Sequence, residues 1–302
     1  MVHRPGEAGT PAAGEHPATG VPGLVAVIGG GRMGAGIAQV FAALGSEVVV
    51  AESDPAAADA ALARVAKGLR TAAERGTLAG RTPEDALAGV RAVTDVAGLP
   101  RGAELVVEAV PERADLKVRV LAAAEAAVGD GAVLATNTSS LSVTELAAAL
   151  RRPERFLGMH FFNPVPASTL VEVVVAAQTS AAARDRALGW AAALGKTAIV
   201  VRDSPGFATS RLGVLLGIEA IRMLEEGVAD AESIDRAMEL GYRHPMGPLR
   251  STDLVGLDVR LAIAEYLATT LGDRFEPPQL LRDKVARGEL GRKAGRGFHD
   301  WP

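Results

Sequence analysis

The sequence predicts an α/β fold: a mostly parallel sheet covered by helices on both faces, followed by a smaller all-helical domain. Short apolar runs alternate with helix-forming segments as far as Val201, the pattern of strands joined by crossover helices. The runs are apolar throughout, as strands buried on both faces require. After RDSPGF (202–207) the β-rich runs stop, and long amphipathic segments separated by Gly and Pro take over. With the boundary near Asp203, the chain reads as a tail over 1–22, an α/β domain over 23–203 and a helical domain over 204–302.

In chain order, MVHRPGEAGTPAAGEHPATGVP (1–22) has no continuous apolar run, so it is read as a disordered tail and not a signal peptide. LVAVI (24–28) is a short strand, and GGGRMGAGIAQVFAALG after it turns tightly and takes on helical apolar spacing. SEVVVAE (46–52) is a second strand, followed by the alanine-rich helix AAADAALARVAKGLRTAAERG. Further strands are expected at Val90–Thr94, Leu105–Val110, Ala132–Thr136, Phe156–Phe161, Thr169–Val175 and Thr197–Val201. Helices are expected near 113–128, 141–150 and 181–194.

Of 302 residues, 48% are hydrophobic and 23% charged, and the net charge is −4 with both signs interspersed. That balance does not suit a nucleic-acid binder. The chain has no cysteine, which excludes disulfides, thiolate metal sites and a cysteine nucleophile, and suits a reducing, cytoplasmic setting. No metal site is expected. No segment reaches the ~18 uninterrupted apolar residues of a membrane span, so a soluble protein is expected.

GGGRMG places Gly29, Gly31 and Gly34 in the G-x-G-x-x-G spacing, with Arg32 and Met33 between the last two. The motif alone is weak in a glycine-rich chain. Here it follows a strand, opens a helix and is followed by an acid, Glu52, at the end of the second strand, which together form a dinucleotide fingerprint. Gly29 permits the tight turn, Gly31 lets the backbone approach a pyrophosphate, and Gly34 lets helix and strand pack closely, while the helix N-terminus attracts phosphate. Glu52 would bond the adenosine ribose and repel a 2′-phosphate, which favours NAD over NADP.

Of the five histidines, His3 and His16 lie in the tail, His244 in a turn-like segment and His299 near the C-terminus; only His160 ends an apolar strand of the α/β domain. Ligands of open α/β sheets bind beyond the carboxyl ends of strands. A histidine with a satisfied hydrogen bond is also common in cores, so position leaves both readings open. Glu172 lies in STLVEVVVA, where an ionised carboxylate is costly unless paired. A carboxylate bonded to one imidazole nitrogen would fix the tautomer and leave the other to take a proton. Whether the two side chains meet is a hypothesis; a solvated Glu172 is the alternative. TNTSSL (136–141) puts Asn137, Ser139 and Ser140 at another strand's end, where helix capping would account for one of them.

The motifs VIGGGRMGAGIA, VVEAVPERADLK, TNTSSLSVTELA, GMHFFNPVP with LVEVV, DSPGFATSRL, HPMGPLRSTDLVGLD and LGRKAGRGF run in order from Leu24 to Trp301. Together they closely resemble the L-3-hydroxyacyl-CoA dehydrogenase family. The resemblance implies a Rossmann-type NAD domain, a helical domain that forms a homodimer, and NAD-linked oxidation of an (S)-3-hydroxyacyl-CoA to the 3-ketoacyl-CoA, with short chains such as 3-hydroxybutyryl-CoA expected. It implies His160 as base and Glu172 as its orienting carboxylate. It also implies that Ser139 bonds the substrate oxygen and that Asn163 lies by the nicotinamide, both counting as cofactor contacts. Glu112, Lys117 and Lys293 take part in cofactor binding on the same grounds, with ordinary surface charges as the alternative.

One position departs from the family pattern: Ser210 in SPGFATSRL stands where the family usually has asparagine. A hydroxyl is shorter and lacks the amide's donor and acceptor pair, which bears on the hold on the substrate's carbonyl end. Arg64, Lys67 and Arg75 fall on a narrow arc of one helix, which would suit the phosphates of CoA, although a solvated helix face is the first explanation of such an arc. Two other functions stay open. One is a dehydrogenase acting on a hydroxyacyl carrier-protein thioester or a free hydroxy acid, kept in view by Ser210. The other is a catalytically silent NAD-binding protein, against which His160 and Glu172 argue.

Overall fold

The inner apolar runs become strands because a sheet buried on both faces favours side chains that need no water, while the runs at the two edges of the sheet are partly exposed. The computed structural model describes residues 20–302. Its strands are β1 (Leu24–Ile28), β2 (Glu47–Ala51), β3 (Val90–Val93), β4 (Leu105–Glu108), β5 (Val133–Thr136), β6 (Phe156–Phe161), β7 (Leu170–Val175) and β8 (Thr197–Arg202). They form one sheet in the order β3-β2-β1-β4-β5-β6-β7-β8. Pairing is parallel from β3 across to β6, and β6 pairs β7 antiparallel. The chain moves outward from β1 to β3 and then returns to β4 on the other side of β1. The point of reversal therefore lies between β1 and β4, where open α/β sheets hold ligands.

The helices of this region are α1 (Arg32–Ala43), α2 (Pro55–Glu74), α3 (Pro83–Ala88), α4 (Ala114–Ala127), α5 (Val143–Ala147) and α6 (Ala181–Ala193). Asp54 caps α2 by accepting the Ala57 N–H at 2.9 Å, and that bond, first among its causes, holds the carboxyl below the usual carboxylate range. Two differences from the sequence-based expectation have a visible local cause, while α5 is simply shorter than the helix expected near 141–150. Strand β4 stops at Glu108, two residues early, because the Glu108 carboxylate accepts the Val110 N–H at 2.7 Å and turns the chain. The short helix α3 is additional to the expected helices, although Thr82 and Asp85 form a capping box with Pro83 in the first turn.

The chain divides into two compact units: the described residues up to Asn137 with Ala147–Val200, and Thr138–Leu146 with Val201–Pro302. The segment 138–146 thus groups with the helical residues, which a linear reading would not assign. Its tie is Asp203, whose Oδ2 accepts Ser142 Oγ at 2.8 Å and Thr144 N–H at 2.7 Å. Of the expected tail, Val21 packs on the first unit's core and the Pro22 carbonyl accepts Ser46 Oγ; residues 1–19 lie outside the described residues. Among the described residues no helix is long and apolar enough to cross a membrane.

The second unit is built on α7 (Thr209–Glu225), α8 (Ala231–Tyr242), α9 (Pro248–Val255), α10 (Leu257–Leu271) and α11 (Gln279–Ala286). Two buried aspartates organise it. Asp253, fully buried, accepts the Phe298 and His299 N–H groups at 2.8 Å each and Trp301 Nε1 at 2.9 Å. Asp235 accepts Leu249 N–H, Arg250 N–H and His299 Nε2. Gly297 is required beside the first, since a Cβ there would lie 2.0 Å from Asp253 Oδ1. The C-terminal segment is therefore held by carboxylates and not by apolar burial alone. Asp253→Ala is expected to strand three donors and cost about 3–5 kcal/mol of stability in chemical denaturation. In a Trp190→Phe background the emission of Trp301 should shift to the red; an unshifted band would refute this anchoring.

Candidate active site

A cleft of about 670 Å³ opens beyond the ends of β1, β2 and β4, lined by Gly29, Gly31, Arg32, Met33, Glu52 and the Ala109–Pro111 loop among others. Gly29 and Gly34 are required by sterics. Gly29 has φ +91°, and a Cβ on Gly34 would fall 1.7 Å from the Gly29 carbonyl oxygen, so any side chain there would drive α1 off the turn. At Gly31 a Cβ would meet nothing within 4 Å, which leaves room for a ligand to reach the backbone. Gly31 caps α1 without a side-chain hydrogen bond, so the first N–H groups of α1 have no side-chain acceptor and suit a phosphate. These residues fit a dinucleotide.

Glu52 lines this cleft and also braces the glycine loop, its Oε1 accepting the Gly30 N–H at 2.6 Å. From the other side, Arg64 Nη1 donates to the Gly30 carbonyl at 3.1 Å. The middle glycine of the loop is thus gripped at both its donor and its acceptor.

At the end of β4, Glu108 is fully buried and Lys117 is 1% exposed. Lys117 Nζ lies 2.7 Å from Glu108 Oε1 and 3.3 Å from Glu112 Oε2. Thr136 Oγ1 donates to the other Glu108 oxygen at 2.6 Å. Hydrogen bonds on both oxygens are what make such a buried pair tolerable. The Lys117 ammonium thus faces inward and ties the loop that borders the cleft. Sequence reasoning missed Glu108, although an acid ending the apolar run LVVE is the same signal that singles out Glu172.

Strands β6 and β7 pair antiparallel with His160 directly opposite Glu172, which puts both side chains on one face of the sheet. His160 Nδ1 lies 2.7 Å from Glu172 Oε2; the histidine is 7% exposed and the glutamate fully buried. With the carboxylate ionised, Nδ1 carries the proton and Nε2 is the basic nitrogen. The ring leans on Phe162 at 4.4 Å between centroids. Asn137 Oδ1 accepts the Phe161 N–H at 2.9 Å, tying the end of β5 to the end of β6.

A second cleft, of about 720 Å³, lies between α1, α2 and the loop after β6. Arg64, Lys67 and Arg75 all line it, as do Arg32 and Asn163. Among the described residues Lys67 and Arg75 make no side-chain hydrogen bond or ion pair, whereas Arg64 is engaged on Gly30. The remaining expected site residues belong to the helical unit. Ser139 lies in the 138–146 segment, Ser210 in the first turn of α7, and Lys293 bonds both Asp258 oxygens at 2.6 Å.

Residues 24–204 match the family model described as "3-hydroxyacyl-CoA dehydrogenase, NAD binding domain", and residues 206–301 match "3-hydroxyacyl-CoA dehydrogenase, C-terminal domain". A probable 3-hydroxybutyryl-CoA dehydrogenase of Bacillus subtilis is 41% identical over 280 residues, 92% of this chain and 96% of that protein. The 3-hydroxybutyryl-CoA dehydrogenase of Clostridioides difficile is 40% identical over 92% of this chain and 99% of its own. The crystal structure of (S)-3-hydroxybutyryl-CoA dehydrogenase from Ralstonia eutropha superposes with a TM-score of 0.88 at 40% identity, covering 93% of this chain and 99% of that one. Both family domains are matched in order across the cleft, the His160–Glu172 pair and the helical unit, and the chain belongs to the 3-hydroxyacyl-CoA dehydrogenase family, whose first domain binds NAD.

Proposed function

We propose that this protein oxidises a short-chain (S)-3-hydroxyacyl-CoA, such as 3-hydroxybutyryl-CoA, to the 3-ketoacyl-CoA with NAD, and runs the reverse reduction. The observation that carries the reading is the 2.7 Å bond between a fully buried Glu172 and the Nδ1 of His160, which lies near the carboxyl end of β6. When bound, NAD supplies the hydride acceptor, and NADH the donor. His160 Nε2 takes the proton from the substrate's C3 hydroxyl, and Glu172 stabilises the resulting imidazolium. In reverse the imidazolium protonates the ketone. Ser139 bonds the same substrate oxygen, and Asn163 sits beside the nicotinamide.

Lys67 and Arg75 are the cations to hold the phosphates of CoA, and Arg64 reaches the same cleft while holding the glycine loop. A cleft with these cations suits a phosphorylated thioester handle better than a free hydroxy acid. Glu52 reads the adenosine ribose through the oxygen not given to Gly30. A homodimer through the helical unit would cover Leu212, Leu254, Val255 and Val259, which are 42–67% exposed on α7, α9 and α10. A cytoplasmic setting fits a chain without cysteine.

The protein is expected to reduce acetoacetyl-CoA with NADH and to use NADPH far less well in a steady-state assay. His160→Gln should lower kcat by roughly 10²–10⁴-fold without unfolding the chain; undiminished turnover would sink the mechanism. In Glu172→Gln the imidazolium loses its counter-charge, so the reduction rate should begin to fall at a lower pH than in the wild type; a superimposable pH profile would exclude the pair. Lys67→Ala and Arg75→Ala should each raise the KM for acetoacetyl-CoA on the order of tenfold, about 1.4 kcal/mol. The same changes should leave the KM of an acetoacetyl-pantetheine thioester, which lacks the nucleotide, where it was.

A further inference from the structure

Lys196 follows α6 and is only 8% exposed, yet no carboxylate lies within ion-pair distance of it among the described residues. Its Nζ donates to the Val165 carbonyl at 2.7 Å and to the Ser168 carbonyl at 2.5 Å. Burial pushes its pKa down, so the fold bears the desolvation of an ammonium that a methionine of similar length would avoid. What that ammonium holds is one loop, the connection between His160's strand and Glu172's strand.

The loop has two further constraints. The Pro164 carbonyl accepts the N–H groups of Ala167 and Ser168 at 3.0 Å each. Val165 is 2% exposed and packs into the notch over α1, where a Cβ on Gly36 would lie 3.0 Å from the Val165 Cβ. The loop is therefore pressed onto α1 through Val165 and pulled from the other side through two carbonyls. Its residues Asn163–Ala167 form one wall of the basic cleft. The NAD cleft is bounded by other segments.

We propose that Lys196 is a positioning residue that pins residues 165–168, beyond Asn163, and so sets the acyl-CoA side of the site while leaving the dinucleotide side untouched. The kinetic part rests on the acyl-CoA reading above; the structural part does not.

The test is Lys196→Met in the full chain, read by hydrogen exchange and by the two KM values. The amides of Ala167 and Ser168 should exchange faster, and the KM for acetoacetyl-CoA should rise roughly ten- to a hundredfold, while the KM for NADH stays within about twofold. Lys196→Arg, which keeps donors for both carbonyls, should restore most of the loss. Wild-type exchange and KM in folded Lys196→Met would overturn the proposal, and so would a rise of both KM values in step, which is the mark of a merely structural residue. Should Lys196→Met fail to fold, Gly36→Ala pushes the same loop from the α1 side with the ammonium intact. It should give the same split between the two KM values, and an unsplit result overturns the proposal. A wild-type chain inert toward acetoacetyl-CoA would refute the acyl-CoA reading, and the exchange measurement would still decide the role of Lys196.

Discussion

A sheet covered on both faces admits a charged side chain only where a partner and hydrogen bonds replace the lost water. Two carboxylates of the sheet, Glu108 at the end of β4 and Glu172 within β7, meet that condition, and they do so with different bases. Glu108 is paired with Lys117, and Thr136 satisfies its second oxygen. Glu172 is paired with His160. Lys117 Nζ also reaches the Val110 carbonyl at 3.3 Å, so its pair is a support for the loop after β4. An imidazole has a second ring nitrogen left over when the first bonds a carboxylate, so the second pair is the one built to pass a proton to a ligand. The same desolvation that makes both pairs obligatory therefore gives one a structural role and suits the other to chemistry.

Helix α1 organises the space around these pairs. Its N-terminus closes the dinucleotide cleft, and Arg32 at its start lines both clefts. Further along, Gly36 receives Val165. One helix thus stands between a cleft built from the β1, β2 and β4 loops and a basic cleft built from α2 and the β6–β7 loop. The Gly30 peptide groups are held by Glu52 and Arg64, which makes Arg64 part of the glycine loop as well as of the basic cleft. A residue that helical spacing marks as a phosphate ligand has an internal acceptor too.

The helical unit solves its own desolvation problem with acids. Asp235 and Asp253 collect backbone N–H groups, an indole and a histidine from the C-terminal segment. Two of the three glycines of LGRKAGRGF follow from this packing, because Gly291 and Gly297 both lie against Asp253 with no room for a Cβ.

Much of this is legible in the residues. Apolar runs, alanine-rich segments and the glycine spacing are local signals, and each depends on backbone geometry over a few residues, so the strands, the long helices and the dinucleotide loop can be read directly. His160 and Glu172 are legible as candidates for the same reason: a polar residue in an apolar strand is visible in one dimension. Their meeting is not, because it depends on strand register, and a shift of one residue would turn Glu172 to the opposite face. Lys117 facing inward to Glu108, Lys196 reaching two carbonyls of a distant loop, and the grouping of 138–146 with the helical unit through Asp203 escape for a related reason. Each depends on packing that no local pattern encodes, since periodicity carries no information about which buried donor will find which acceptor once the core has formed.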